Sequence, residues 1–138
     1  RKDDSPVRSE GYCVRINVPG VAKLPTPHGA YFESFVTSEP MEEGEWGMRW
    51  AVFDADKVKG HLDVRTRKPG DRIHIKGMQG SKKVKSLFID EKIPRDKRDE
   101  WPCVSDETGI LWIPGLRRSQ NALVGPETDK RIYLIYHT

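Results

Sequence analysis

The chain has 138 residues, of which 33% are charged and 36% are hydrophobic, and its formal net charge is +3. This length fits one ordinary domain and excludes two domains of normal size. No run approaches the roughly 20 apolar residues that span a bilayer, so the sequence predicts a soluble domain with no membrane partner.

The first residues differ in character from the rest of the chain. They read RKDDSPVRSE, with neither an initiator Met nor the apolar stretch of a secretory signal. We therefore interpret residues 1–11 as a polar linker, residues 12–138 as the domain, and the chain as a fragment. The only cysteines, Cys13 and Cys103, lie far apart in apolar runs. They predict buried free thiols in a reducing, cytoplasmic compartment.

Strands are predicted where short apolar runs lie between turn residues. The first run, YCVRINV at residues 12–18, ends at a Pro-Gly pair. Further strands are expected at 30–36, between 47 and 53, at 61–66 and at 72–75. The sequence KPGD at residues 68–71 separates the last two and predicts a tight turn.

Two short helices and three more strands are predicted in the second half. Residues 82–90 and 95–100 are interpreted as helices separated by Pro94, which suits a first helical turn but not a helix interior. Strands at 103–105 and 110–113 form a predicted hairpin, and RIYLIYH at 131–137 is the last strand. This pattern predicts an α+β fold, a β-sandwich of short strands with two short helices.

Positive charge is concentrated in the middle of the chain. The segment from Arg65 to Arg98 holds twelve Lys or Arg and four acids, 12 − 4 = +8, and the remaining residues give 12 − 17 = −5. Such asymmetry is typical of a face that binds a polyanion. A solvated surface with scattered ion pairs accounts for the charge alone equally well.

The stretch GMQGSKKVKS at residues 77–86 predicts a helix start with unfavourable charges. Ser81 can cap free N–H groups, so we expect the helix to begin near Lys82. Lys82 and Lys83 would then oppose the helix macrodipole, at about 0.3–1 kcal/mol per exposed charge. A bound phosphate would relieve that cost. The alternative is that these lysines only keep an exposed end soluble.

Other basic residues extend this candidate surface. Along residues 62–67, read as a strand, Leu62 and Val64 share one face. Arg65 and Arg67 share the other face, where both can bind phosphates. The candidate RNA contacts are Arg65, Arg67, Lys68, Arg72, Lys82, Lys83, Lys85, Arg95, Arg117 and Arg118. The residues expected to shape the loops that present them are Gly70, Asp71, Gly77 and Gly80. At least one base near residue 95 is expected to pair with Asp96, Asp99 or Glu100.

Several classes of chemistry have no motif in this sequence. There is no phosphate-binding loop of the Gly-x-x-x-x-Gly-Lys-Ser/Thr type, and the four histidines lack metal-ligand spacing. Asp54 and Asp56 fit a turn better than a cation site. We therefore predict no catalytic residue, no metal and no cofactor in this chain. Trp101 and Trp112 are interpreted as core residues rather than platforms for bases.

Three stretches carry a family resemblance. They are VRTRKPGDRI, KGMQGSKKVKSLFIDEKIPRDKRDEWPCV and GILWIPGLRRS. Together they resemble the C-terminal domain of bacterial tRNA(Ile)-lysidine synthetases over about residues 50–137. One departure is Ile75-Lys76 before Gly77, where the family more often has Pro-Leu.

The resemblance implies a function for the whole protein. Members of that family use ATP to attach lysine to the wobble cytidine of an isoleucine tRNA, with a Ser-Gly-Gly-x-Asp-Ser loop in a catalytic domain. This chain has no such loop, so the resemblance implies a noncatalytic part of a ligase that holds the tRNA acceptor stem. It also implies a fold shared with the phenylalanyl-tRNA synthetase β subunit. The implied partners are isoleucine tRNA, the chain's own catalytic domain and a second copy in a homodimer. An interdomain or subunit docking module is the alternative.

Overall fold

The computed structural model describes residues 11–41 and 49–138. The predicted linker lies outside the described residues except for Gly11, and so does the start of the strand predicted between 47 and 53. The elements in chain order are β1 Cys13–Ile16, β2 Gly20–Lys23, β3 Tyr31–Thr37, β4 Trp50–Asp54, β5 Leu62–Arg65, β6 Arg72–Ile73, β7 Lys82–Lys83, α1 Val84–Asp90, α2 Arg95–Arg98, β8 Cys103–Asp106, β9 Gly109–Ile113, β10 Arg117–Arg118 and β11 Arg131–His137.

The strands form two antiparallel sheets and a small ribbon. One sheet has the order β1-β5-β8-β9-β10, the other has the order β2-β3-β11-β4, and the ribbon pairs β6 with β7. The long β11 lies inside the second sheet and pairs with both β3 and β4. With its two short helices, this sandwich confirms the predicted α+β class.

Two hydrophobic clusters hold the layers together. The first includes Phe32, Phe53 and Leu134 of the four-stranded sheet and Val64 of the five-stranded sheet, all fully buried. Burial of such side chains contributes roughly 1.5–3 kcal/mol each before entropy is counted. The second cluster contains Phe88 and packs α1 and β6 against the five-stranded sheet. This second cluster fixes the positions of β6 and α1, which carry charged residues on their exposed sides.

Alternation along the strands explains most of the burial. In β5, Leu62 and Val64 are buried while Asp63 and Arg65 are only partly so, as predicted. Trp112 is 2% exposed, which confirms its core placement, whereas Trp101 is only partly buried and packs against the second cluster. The Trp101 indole N–H donates to the Pro114 carbonyl at 3.0 Å, so its polar atom is paired.

The start of the first helix is a correction to the sequence prediction. Lys82 and Lys83 form strand β7, paired with Ile73 and Arg72, and the helix begins at Val84. Ser81 does not cap it; the Ser81 hydroxyl accepts a bond from Arg72 Nε at 2.6 Å. Pairing across the ribbon satisfies backbone groups that a longer helix would have left free.

The two cysteines have different environments. Cys103 is buried, as predicted, and this burial raises the pKa of its thiol to about 12. Cys13 is exposed, so the prediction of burial was wrong for it. It lies on an edge strand, where Val14 and Ile16 occupy the inward positions and leave Cys13 outward. In the described part of the chain, no helix is long and apolar enough to cross a membrane.

Candidate nucleic-acid interface

A cleft of about 500 Å³ lies where the loop after β5 meets β7 and the first turn of α1. We call it the basic cleft. Its lining residues are Arg67, Lys68, Pro69, Gly70, Asp71, Lys83, Lys85 and Asp99. Four of these are basic and two are acidic, so the cleft carries net positive charge.

The wall at residues 68–71 is the predicted tight turn. The Asp71 N–H donates to the Lys68 carbonyl at 3.1 Å, and the Lys68 N–H donates to Asp71 Oδ2 at 2.6 Å. Gly70 has a φ of +86°, a conformation that costs other residues roughly 1–2 kcal/mol. The Val84 N–H donates to the Asp71 carbonyl at 3.0 Å, which ties the turn to α1. The loop is therefore fixed at both ends.

Arg65 holds this turn from behind. Its guanidinium donates to both carboxylate oxygens of Asp71, at 2.9 and 3.2 Å. The two side chains are only 12% and 14% exposed. Burial alone would lower the pKa of Arg65, but the hydrogen bond and the charge of Asp71 outweigh it and raise that pKa. Arg65 and Asp71 thus form an internal brace rather than a presented cation.

Arg67 was predicted to share a strand face with Arg65, but β5 ends at Arg65, so Arg67 lies beyond the strand and has a different environment. Its Nη2 donates to Asp99 at 3.2 Å, and its guanidinium carbon lies 5.4 Å from the centre of the Phe88 ring. Phe88 is fully buried, so the ring is a fixed platform. The contact with Asp99 is a partly exposed ion pair of the kind that contributes about 0–1 kcal/mol.

The ribbon directs its two lysines to opposite faces. Lys83 lies directly opposite Arg72, whereas Lys82 lies opposite the buried Ile73 and its ammonium pairs with Asp90. Two like charges on one face of a strand pair are destabilising by roughly 0.2–1 kcal/mol. Lys83 and Arg72 therefore carry like charges on one face of the ribbon, and Lys82 does not share that face. Lys83 lines the cleft, whereas the Arg72 guanidinium donates to the hydroxyl and carbonyl of Ser81.

Several predicted contact residues remain without a carboxylate partner. Among the described residues, no ion pair involves Lys68, Lys83, Lys85 or Arg95, and all four are exposed. The first three line the basic cleft, and Arg95 lies on α2. Gly77 and Gly80 lie in the loop between β6 and β7, both with positive φ.

Arg117 and Arg118 lie outside the basic cleft. Arg117 pairs with Glu91 at 2.7 Å. The Arg118 guanidinium lies 4.4 Å from the centre of the Phe53 ring and donates to the Ala122 carbonyl at 3.0 Å. Burial lowers the pKa of Arg118 to about 10. The sequence gave these two arginines as a further candidate contact, and the structure places them at a second cleft rather than among the lining residues of the basic cleft.

The acidic pair at Asp54 and Asp56 is part of a turn. The Asp54 carboxylate accepts from the Thr128 hydroxyl at 2.7 Å and from the Asp56 N–H at 2.9 Å. The bond from Thr128 is the main cause that holds the pKa of Asp54 below its ordinary value. Within the described ranges, no group of three or more His, Cys, Asp or Glu side chains is placed to hold a metal ion.

Sequence reasoning missed one member of the cleft as a functional residue. Asp99 was expected only to pair with a nearby base, and the structure makes it the partner of Arg67 across the cleft. The two residues are 32 positions apart, so no local spacing links them. Pro69 was predicted as a turn residue, and it lines the basic cleft because the turn at residues 68–71 forms one wall of that cleft.

Comparison with known proteins identifies relatives over this same region. A family model described as the TilS substrate C-terminal domain matches residues 62–134, which include all the lining residues of the basic cleft. The tRNA(Ile)-lysidine synthase of Bacillus subtilis (strain 168) is 43% identical over 136 residues, covering 97% of this chain and 24% of that protein. The tRNA(Ile)-lysidine synthase of Geobacillus kaustophilus (strain HTA426) is 44% identical over 118 residues, covering 84% of this chain and 25% of that protein. The chain thus spans about a quarter of the length of these relatives.

Solved structures agree with the architecture. A crystal structure of a TILS C-terminal domain superposes with a TM-score of 0.81 at 39% identity, covering 94% of this chain and 98% of that one. An N-terminal fragment of the phenylalanyl-tRNA synthetase β-subunit from Pyrococcus horikoshii gives a TM-score of 0.50 at 16% identity, covering 63% of this chain and 27% of that one. The second likeness concerns the fold alone.

Proposed function

This chain belongs to the family of TilS substrate C-terminal domains, and from that premise we propose that it binds the acceptor stem of an isoleucine tRNA. The whole protein would be a tRNA(Ile)-lysidine synthase of the cytoplasm, a ligase that attaches lysine to the wobble cytidine. ATP and lysine would be used by a catalytic domain outside this chain. This chain would hold the substrate and carry out no chemistry.

The observation that carries the proposal is the set of unpaired lysines around a rigid turn. Lys68, Lys83 and Lys85 line one cleft, and none has an ion pair with a described carboxylate. Phosphate contacts fix the position of a nucleic acid and need no base recognition. Three ammonium groups on fixed backbone can contact neighbouring phosphates of one strand.

The electrostatics of the basic cleft favour an anionic ligand. Lys83 and Arg72 lie opposite each other on the ribbon, where two like charges destabilise each other. A phosphate between them converts repulsion into two attractions. Arg67 can add a third attraction to the phosphate. Its partly exposed ion pair with Asp99 is weak, so a bound phosphate can replace Asp99 as the partner of the guanidinium.

The shape of the surface suits a duplex better than single-stranded bases. Double-stranded RNA hides its base edges in a deep, narrow major groove and is held through phosphates, 2′-hydroxyls and shape. The basic cleft has cationic walls, and neither Trp101 nor Trp112 lines it. A stem is therefore the form of RNA that this cleft fits.

Titration of the chain with isoleucine tRNA at several salt concentrations tests the proposal. The wild-type association constant should fall steeply as the salt concentration rises. In a plot of log association constant against log salt concentration, the triple variant Lys68→Ala, Lys83→Ala, Lys85→Ala should have a slope smaller in magnitude by roughly 2–3, at about 0.7–0.9 per lost phosphate contact. The matched control is Lys59→Ala, an exposed lysine before the opposite end of β5. Its slope should equal that of the wild type.

The alternative function makes a different prediction in the same assay. If the basic surface docks onto the catalytic domain or a second subunit, the isolated chain should bind the rest of the enzyme. Its affinity for tRNA should then be weak, and the triple variant should leave that affinity unchanged. A flat salt dependence for the wild type would contradict acceptor-stem binding.

A further inference from the structure

A second cleft, of about 310 Å³, lies between the edges of the two sheets. Strand β4 is an outer strand of the four-stranded sheet, and β10 is an outer strand of the five-stranded sheet. We call the space between them the interlayer cleft. The lining residues that matter here are Val52, Lys76, Arg117, Arg118, Leu123 and Val124.

The first unusual feature of this cleft is an uncompensated cation. Among the described residues, Arg118 has no ion pair, and its Nη1 is buried with no hydrogen-bond partner. Its other contacts are two backbone carbonyls and the Phe53 ring. A buried charge is normally paired, because leaving water costs several kcal/mol. An anionic group placed in the cleft would lie beside this charge.

The second feature is an open backbone edge. The Asp54 N–H donates to the Ala122 carbonyl, away from β11, at 3.0 Å. Alternate residues of an antiparallel strand direct their N–H and C=O groups to the same side. Val52 therefore presents its own N–H and C=O at this edge, where β4 has no neighbouring strand. A donor and an acceptor side by side match the edge of a nucleobase.

The third feature is the mixed character of the remaining walls. Leu123 and Val124 supply apolar surface and Lys76 adds positive charge, whereas the charge of Arg117 is already paired with Glu91. The backbone N–H of Lys76 donates to the carbonyl of Arg118 at 3.0 Å, and this bond joins the two backbone segments that carry Lys76 and Arg118. A ligand with a flat apolar body, a hydrogen-bonding edge and a negative group satisfies all the walls at once.

We propose that the interlayer cleft binds a single unpaired nucleotide of RNA, next to the stem held by the basic cleft. This inference rests on the proposed function. RNA-binding proteins commonly recognise single-stranded ends through base edges and stacking, and the volume is at the lower end for ligand sites. Lys76, which lines the interlayer cleft, is five residues from Asp71, which lines the basic cleft, a span of at most about 18 Å along an extended chain. One RNA molecule can therefore reach both clefts.

The test compares two hairpin RNAs with the acceptor-stem sequence, one blunt and one with a single-stranded 3′ extension. The wild-type chain should bind the extended hairpin at least about fivefold more tightly. Lys76→Ala and Arg118→Lys should remove that difference while both still bind the blunt hairpin. Lys23→Ala, an exposed lysine on the opposite edge of the four-stranded sheet, should retain it.

Two results would overturn the inference. Equal affinity of the wild type for both hairpins is one, and an advantage that survives in Lys76→Ala is the other. Because Arg118 contacts the core, thermal melting of Arg118→Lys is measured first; if that variant is unfolded, Lys76→Ala decides. If either of these results is found and the wild-type chain still binds the blunt hairpin tightly, only the inference fails and the proposed function stands. If the wild-type chain binds neither hairpin, the proposed function itself is contradicted.

Discussion

At the scale of single residues, basic side chains that look alike in the sequence have different tasks. Arg65 is bonded to Asp71 and braces a turn, while Lys83 has no carboxylate partner among the described residues and faces the cleft. The difference comes from burial and from the neighbour that each side chain meets. The sequence identifies where the cations are concentrated, and only the structure shows which of them are bonded internally and which are exposed.

The brace leads to a prediction about stability. Asp71→Asn removes the charge from two bonds to Arg65 and weakens a third from the Lys68 N–H. Because hydrogen bonds to charged groups contribute about 1.5–3 kcal/mol, we expect the free energy of unfolding to fall by about 2 kcal/mol. Urea denaturation measures this as a lower midpoint with an unchanged slope.

The matched control for this prediction is an exposed ion pair. Arg15 and Asp63 are bonded at 2.9 Å but are 50% and 29% exposed. Asp63→Asn should therefore lower the unfolding free energy by less than about 1 kcal/mol. Equal losses in Asp63→Asn and Asp71→Asn would show that the Arg65 brace has no special role.

At the scale of elements, the ribbon of β6 and β7 determines how the cleft is built. The sequence predicted a helix from Lys82, because Ser81 suits a cap and the apolar spacing beyond it is helical. In the structure, Lys82 and Lys83 instead form a strand, because Arg72 and Ile73 pair with them. Pairing between segments about ten residues apart is invisible to a local pattern. The same reason explains why β2, which pairs with β3, was missed, whereas β10 pairs with the nearby β9 but has only two residues, too few for an alternating pattern.

The turn at residues 68–71 allows a test at this scale. Gly70 has a positive φ, and a Cβ at this position would meet no atom within 4 Å. Gly70→Ala should therefore cost about 1 kcal/mol through backbone conformation alone. Gly70→Asn should cost less, because Asn adopts this conformation more readily. Thermal melting of both variants measures the difference.

Equal melting temperatures for the two variants would contradict this account of the turn. A steric clash would act on both side chains, with the larger Asn affected more. The order of the two losses therefore separates backbone strain from crowding. A shifted turn should also weaken tRNA binding in Gly70→Ala, since Lys68 and Asp71 flank the glycine.

At the scale of the whole molecule, the sequence predicted the architecture better than the surface. The alternation of apolar and polar residues, together with the turn residues, was enough to expect a sandwich of short strands. A strand with one buried face shows this alternation within its own few residues. Sheet order was not predictable, since it depends on pairings such as β11 between β3 and β4, far apart in the chain. The cationic segment from Arg65 to Arg98 can be read from the sequence, but its division into the Arg65 brace and the basic cleft required the folded arrangement.

The central claim is that the acceptor stem lies in the basic cleft, and tethered cleavage of the tRNA tests it most directly. Pro69 lines the cleft and is exposed, so Pro69→Cys in a Cys13→Ser background carries an iron–EDTA group without removing a lysine. Cys103 stays unmodified, since it is fully buried and this burial raises the pKa of its thiol. The control tether is at Lys59→Cys.

We predict strong hydroxyl-radical cleavage confined to the acceptor stem from the tether at residue 69, and little cleavage from residue 59. Cleavage in the anticodon arm from residue 69, or equal weak cleavage from both tethers, would contradict the account.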